Sequence, residues 1–224
     1  MKYEGIIFDF NGVILWDTEW NVEAWSKVTE ELLGKPISKE QIEKIHGRTV
    51  SETFRDLLGP SAPAQEVAKW GKRKEEIYRQ IAVSKGERFS LSPGCEQLLS
   101  LLKRHSIPKT IATASGPVNL KFFIDNLFLD KWFDLEKIVY DDGNLSGKPS
   151  PVMYLRAAQK LSLPPVKCII VEDSIMGLAS ARNAKVGKII ALGPKNEREK
   201  LRQTEGVAKV ITRLNEIGLS DFES

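Results

Sequence analysis

Apolar residues fall along this chain in short unbroken runs. They are GIIFD (5–9), KTIATAS (109–115), KIVY (137–140), KCIIVED (167–173) and GKIIAL (187–192), with AKVI (208–211) as one more. Each run is bounded by polar or small residues. A strand covered on both faces has no need of the apolar–polar alternation of a half-exposed one, so these runs predict buried parallel strands. Helical patterns lie between them: CEQLLSLLKRH (95–105), PVMYLRAAQKL (151–161) and IMGLASARNAK (175–185). Strand then helix, repeated, predicts an α/β fold, a doubly wound (Rossmann-like) parallel sheet with right-handed crossovers.

One stretch breaks the alternation. Residues 19–88 carry helical patterns such as NVEAWSKVTEELLG and KEQIEKIHGRTVSETFRDLLG, with no convincing strand among them. The chain therefore reads as an α/β core domain, residues 1–18 and 89–224, interrupted after its first strand by a helical cap domain, residues 19–88. The cap rejoins the core near RFSLSPG (88–94). An insertion at that point sits above the carboxyl ends of the strands, where doubly wound sheets place their active sites.

Composition and charge narrow the class. With 42% hydrophobic and 28% charged residues, the chain is an ordinary globular protein with room for one sizeable domain and an insertion. Lysine and arginine number 33 against 30 acids, a net charge of +3, too small an excess to indicate a nucleic-acid partner. The densest basic run, KWGKRKEE (69–76), reads as a solvated helix face. Two cysteines, Cys95 and Cys168, make neither a metal site nor a disulfide framework, and Cys168 reads as a buried core thiol. No apolar stretch reaches about 18 residues, so no membrane partner is expected. The N-terminus has no secretory pattern, and a cytoplasmic location is expected.

The chemistry gathers at one edge of the predicted sheet. Asp9 ends the first strand. Thr113 and Ser115 end the second, where hydroxyls and free backbone N–H groups can hold an anion. Lys148 stands in SGKPSP, and Glu172 and Asp173 close CIIV. Singly, each has a plain structural account: a turn former, an N-cap, a surface charge. Together they supply carboxylates for a hard cation, a fixed ammonium and donors for phosphate oxygens. Mg²⁺ commonly takes one or two carboxylates plus a substrate phosphate, and a carboxylate can itself attack a phosphoryl group once the like charges are neutralised.

These residues resemble the four motifs of the haloacid dehalogenase (HAD) superfamily. The first, D-x-D-G-V in its phosphatases, is matched by Asp9-Phe10-Asn11-Gly12-Val13. The second is matched by Thr113, the third by Lys148 in GKPSP, and the fourth by Glu172-Asp173-Ser174 with Gly177 following. The pattern is similar to the helical-cap subgroup that includes β-phosphoglucomutase and phosphoglycolate phosphatase. The resemblance implies Asp9 as nucleophile through an aspartyl-phosphate. It implies Mg²⁺ held by Asp9, the backbone carbonyl of Asn11 and Asp173, with Glu172 at or near the metal. Thr113, the N–H of Ala114 and Lys148 would hold the transferring phosphoryl group. In the cap, Arg48 of GRT (47–49) and Lys74 of KRKEEIY (72–78) are the candidates for the substrate's non-reacting part, and Trp16, Trp20 and Trp25 are candidates to border the pocket.

Two positions depart from the family pattern. Asn11 stands where phosphatases and mutases carry a second aspartate that moves protons. Asn21 stands where mutases often place a histidine. An amide cannot act as a general acid or base, a loss of about two to four orders of magnitude in rate. Glu19 and His46 are conceivable substitutes. The expected function is a Mg²⁺-dependent phosphatase (a phosphoric monoester hydrolase) of a small phosphorylated metabolite such as a sugar phosphate, slowed by Asn11. The alternatives are a β-phosphoglucomutase-like phosphosugar mutase and a catalytically impaired phosphometabolite-binding protein.

Overall fold

A computed structural model describes residues 2–223, with the backbone alone at residues 39 and 43. The first strand, β1 (Gly5–Phe8), leads directly into four helices: α1 (Thr18–Leu33), α2 (Lys39–Ile45), α3 (Val50–Leu58) and α4 (Ala64–Ser84). No strand occurs in this insertion among the described residues. Its short helices start where the sequence supplies caps. Ser38 Oγ accepts the N–H of Gln41, and Thr49 and Glu52 cap each other at the start of α3, Glu52 N–H to Thr49 Oγ1 and Thr49 N–H to Glu52 Oε2 (3.1 Å).

After the insertion helices and strands alternate except between α6 and α7: α5 (Cys95–Arg104), β2 (Lys109–Ile111), α6 (Pro117–Leu127), α7 (Val152–Lys160), β3 (Cys168–Glu172), α8 (Ile175–Asn183), β4 (Lys188–Leu192), α9 (Arg198–Arg202) and β5 (Val207–Ile211). The strands form one all-parallel sheet in the order β2-β1-β3-β4-β5, with Ile7 opposite Thr110 on one side and Ile170 on the other. Successive side chains of a strand point to opposite faces. Thus Ile6, Phe8, Ile169, Val171, Ile190 and Leu192 join one core, and Ile7, Ile170, Cys168, Ile189 and Ala191 another. On the first face α5 and α6 contribute Leu98, Leu102 and Phe123, and the same core runs on into Trp20, Phe54 and Tyr78 of the insertion. On the second, α7 and α8 contribute Met153, Tyr154, Ala157 and Leu178. Both faces are dry, which is why the apolar runs do not alternate.

Two strand expectations are corrected. The run 137–140 does not extend the sheet. The Asp134 side chain accepts the N–H of Glu136 (3.2 Å) and starts a 3₁₀ turn over Leu135–Lys137, and Asp141 accepts from Gly143 (2.9 Å) just beyond. Between those two turns there is room for a single bridge, Val139 to Ala112. The run 109–115 is strand only through Ile111, because the Thr113 hydroxyl accepts the N–H of Ser115 (3.1 Å) and turns the chain. Among the described residues, no helix is long and apolar enough to cross a membrane.

The amino edge of the sheet is closed by residues 218–222. Lys188 Nζ, at the start of β4, donates to Asp221 Oδ1 (3.1 Å) and to its backbone oxygen (3.0 Å), and Lys209 Nζ donates to Asp221 Oδ2 (2.6 Å). Burial alone would raise the Asp221 carboxyl. Lys209, the N–H of Gly218 and Lys188 outweigh it and hold the group below its usual range. A carboxylate depressed in the folded state stabilises above its unfolded value, about pH 4, and the contribution is lost as the pH falls through the folded value. Asp221→Asn is therefore expected to lower stability by roughly 1–3 kcal/mol at pH 7. In urea titrations the gap between wild type and variant should narrow progressively as the pH falls below about 4.

Candidate active site

Three carboxylates and one lysine meet at the carboxyl edge of the sheet. Asp9 follows β1, and its N–H donates to Val171 of β3 (3.0 Å), which pins it between the two central strands. Glu172 and Asp173 follow from β3, and Ser174 caps α8 by accepting the N–H of Gly177 (3.0 Å). Lys148 arrives from the loop before α7 and is only 2% exposed. Its Nζ donates to Asp9 Oδ1 (2.6 Å) and to Glu172 Oε1. Glu172 is fully engaged. Tyr154 also donates to Oε1 (2.6 Å), while the N–H groups of Asp173 and Ser174 and the Ser174 hydroxyl donate to Oε2 (3.0–3.1 Å).

Asp173 is the opposite case. Its Oδ1 is buried and has no hydrogen-bond partner. Burial, reinforced by the charges of Glu172 and Asp9, holds its carboxyl well above the usual range. Burial likewise carries Asp9 up to about 7, with Lys148 pulling it down and Glu172 pushing it up. Burial opposes the Lys148 charge, yet its two carboxylate partners win and raise its pKa, so the ammonium is kept. Lys148 in turn outweighs burial at Glu172 and holds it below the usual range. One ammonium thus faces three acids whose nearest oxygens lie within 4.8 Å of one another. Hard oxygen donors, two carboxyls whose charged forms lack sufficient positive charge nearby, and an orphaned carboxylate oxygen together fit a divalent cation. Gly12 lets the loop after Asp9 close on this cluster: its φ is +82°, and a methyl group there would strike the Asp173 carboxylate.

Residue 11 is held on both sides. Its Nδ2 donates to Asp17 Oδ2 (2.6 Å), and its Oδ1 accepts from Ser115 Oγ (3.0 Å). Asp17 is fully buried and also accepts from Gly12 N–H (3.0 Å) and from the Tyr78 hydroxyl of α4 (2.5 Å). Burial raises the Asp17 carboxyl against the pull of these hydrogen bonds. Sequence reasoning passed over Asp17 and Tyr78. The available signal was an acid directly after the fully apolar GVILW, a place where burial requires partners.

Other expected residues gather around a cavity of about 90 Å³. Ala114, Ser115 and Lys148 form its sheet side, and Asn21, Trp25, His46, Arg48 and Lys74 its insertion side. Thr113 is buried behind Ser115. Arg48 pairs with Asp56 (2.5 Å). Lys74 departs from the solvated-face reading of its run: it is 3% exposed, donates to Glu75 (3.1 Å), and lies over the rings of Trp25 and Tyr78. Trp20 packs in the core against Phe89, and Trp16 is 45% exposed outside the cavity. Glu19 is exposed, faces Arg88 (3.8 Å), and lines a second cavity together with Trp16, His46 and Asp173. His46 is close to them, with Nε2 3.9 Å from Asp173 Oδ2, and burial pushes its pKa down.

The sequence profile of the haloacid dehalogenase-like hydrolases matches residues 3–185. The chain belongs to that family. Over 187 residues the hydrolase is 29% identical to the phosphorylated carbohydrates phosphatase of Thermotoga maritima, covering 83% of each protein. Over 220 residues, 98% of its length, it is 24% identical to the chloroplastic 5-amino-6-(5-phospho-D-ribitylamino)uracil phosphatase of Arabidopsis thaliana, and it spans 57% of that protein. Its fold is similar to the crystal structure of a HAD hydrolase, family IA, variant 3, from Entamoeba histolytica, with a TM-score of 0.86, 32% identity and coverage of 98% and 97% of the two chains. The doubly wound parallel α/β architecture is thus shared with solved members, and the chain is a phosphohydrolase of this family. HAD hydrolases generally use Mg²⁺, and the cluster of Asp9, Glu172 and Asp173 could bind a metal.

The tight approach at Gly12 gives a direct check on this geometry. Gly12→Ala combines an unfavourable positive φ with a clash against Asp173, and it should destabilise the fold by at least about 1–2 kcal/mol in denaturant titrations.

Proposed function

We propose that the protein is a Mg²⁺-dependent phosphatase of a small phosphorylated metabolite, working through an aspartyl-phosphate on Asp9, with proton transfer weakened by Asn11. The observation that carries this reading is the buried group of Asp9, Lys148 and Asp173, in which one lysine faces more acid than it can neutralise and one carboxylate oxygen is left without a partner. The family, and a relative named a phosphorylated carbohydrates phosphatase, support a sugar phosphate as the kind of substrate.

Asp9 Oδ is the proposed nucleophile. It attacks phosphorus, the ester P–O bond breaks, and the leaving oxygen departs with the electron pair. Water then attacks the phosphorylated carboxylate, inorganic phosphate leaves, and Asp9 is restored. Asp9, the Asn11 carbonyl and Asp173 would hold the Mg²⁺, with Glu172 supporting it through Lys148. Bound there, the ion would offset negative charge on the phosphoryl oxygens. Lys148 keeps an ammonium against Asp9, so the attacking carboxylate meets a phosphate anion with a positive charge already in place. Thr113, whose hydroxyl also fixes the turn, would hold the phosphoryl group together with the N–H of Ala114 and Lys148. The insertion, residues 19–88, would act as the cap, with Arg48 and Lys74 addressing the substrate's body.

Position 11 sets the rate in this scheme. Its amide is committed to Asp17 and Ser115 and offers no proton to the leaving oxygen. Substrates whose leaving groups need no protonation are therefore least affected.

Release of p-nitrophenol from p-nitrophenyl phosphate is expected with Mg²⁺ and is expected to vanish with chelator. Mg²⁺ should also raise the melting temperature, and Asp173→Asn should abolish that rise. Asn11→Asp is expected to speed hydrolysis of alkyl phosphates by about 100-fold or more, and of p-nitrophenyl phosphate by less. An unchanged rate with both substrates would show that residue 11 has no part in proton transfer.

A further inference from the structure

Glu52 does more than cap its helix. One carboxylate oxygen, Oε2, is engaged with Thr49, accepting its N–H (3.1 Å) and its hydroxyl (3.0 Å). The other, Oε1, reaches 95 residues along the chain and accepts the backbone N–H of Gly147 (3.0 Å). Gly147 directly precedes Lys148. The contact is close enough to exclude any side chain at 147: a methyl group would strike Glu52 Oε2 and come within 2.9 Å of the Thr49 nitrogen and 3.2 Å of Arg48 Cα. Two rigid pieces meet here, the stapled start of α3 and the loop that sets the position of the Lys148 ammonium.

The site lies between the insertion and the core, its cavity lined by Asp9, Ala114 and Lys148 from one and by His46, Arg48 and Lys74 from the other. Any lift of the insertion from the core breaks the bond from Glu52 to Gly147. Re-forming it returns the 147–148 loop to the register in which Lys148 Nζ lies 2.6 Å from Asp9.

We infer that Glu52 is a positioning residue of the phosphatase proposed above: it latches the helical insertion onto the Gly147 amide and, through that amide, sets Lys148 against Asp9 each time the site closes. This rests on the phosphatase reading for its kinetic consequence, while the latch itself is a property of the fold. The glutamate length is essential. Aspartate keeps a negative charge in the first turn of α3 but falls about 1.5 Å short of Gly147.

The test compares full-length wild type, Glu52→Asp and Gly147→Ala. Amide hydrogen exchange at residue 147, read by NMR, is expected to be protected in wild type and about tenfold or more faster in Glu52→Asp, with the amides of α3 from residue 54 onward unchanged. With Mg²⁺ and p-nitrophenyl phosphate, both variants should lose about tenfold in kcat with KM within about twofold, a split that simple loss of folded protein does not give in active-site-titrated samples. Unchanged exchange at Gly147 in Glu52→Asp overturns the latch, whatever the activity. Faster exchange with unaltered kcat overturns its role in setting Lys148. Failure of both wild type and Asn11→Asp to release phosphate overturns the phosphatase reading instead, and the exchange measurement still decides the latch.

Discussion

A single buried ammonium organises the active edge of this protein. Lys148 lies between Asp9 and Glu172, out of contact with solvent, and the neighbouring strands β1 and β3 supply its two partners there. A lone charge in such a place would be lost by deprotonation. Two carboxylates keep it, and the many donors to Glu172 fix the geometry of the pair. With Asp173 added, three acids face one ammonium, and the edge suits a cation and an anionic ligand arriving together. Elements far apart in sequence serve this one balance: β1 supplies Asp9, β3 supplies Glu172 and Asp173, and α7 supplies Tyr154.

The insertion gains its purpose from the same edge. Its helices share the core of the sheet's first face through Trp20, Phe54 and Tyr78, so it is packed against the core and not tethered beside it. Polar contacts then tie it at separate points: Tyr78 to Asp17, Arg79 to Asn119 (2.6 Å), and Glu52 to Gly147. Each is a hydrogen bond or charge-assisted contact at the margin of the apolar packing. Such contacts fix orientation at modest net energy.

Much of this was legible in the residues. Short apolar runs mark strands dry on both faces, and Asp9, Thr113 and the Glu172-Asp173 pair fall at or just past strand ends, with Lys148 in a loop between them, in the order that carries the family pattern. What escaped was set by tertiary contact. KIVY has the composition of a strand, but Asp134 and Asp141 build turns on either side of it, and side-chain capping overrode propensity. Lys74 sits in a run of charges that reads as solvated, and only the fold brings Trp25 and Tyr78 beneath it. Asp17 and Glu52 have ordinary local roles, in a turn and in a helix cap, and their second partners lie 61 and 95 positions away. No local pattern encodes such a partner.

The failed strand has a consequence of its own. An open sheet leaves its outermost strands with unpaired backbone groups, and those invite another molecule to dock. On the β2 side, the Val139 segment takes up backbone groups of Ile111 and Thr113, then turns away after one bridge. On the β5 side, Lys209 is drawn across to Asp221 and Glu216. A segment too short to widen the sheet thus helps to seal it, and the protein is guarded at both flanks against edge-to-edge aggregation.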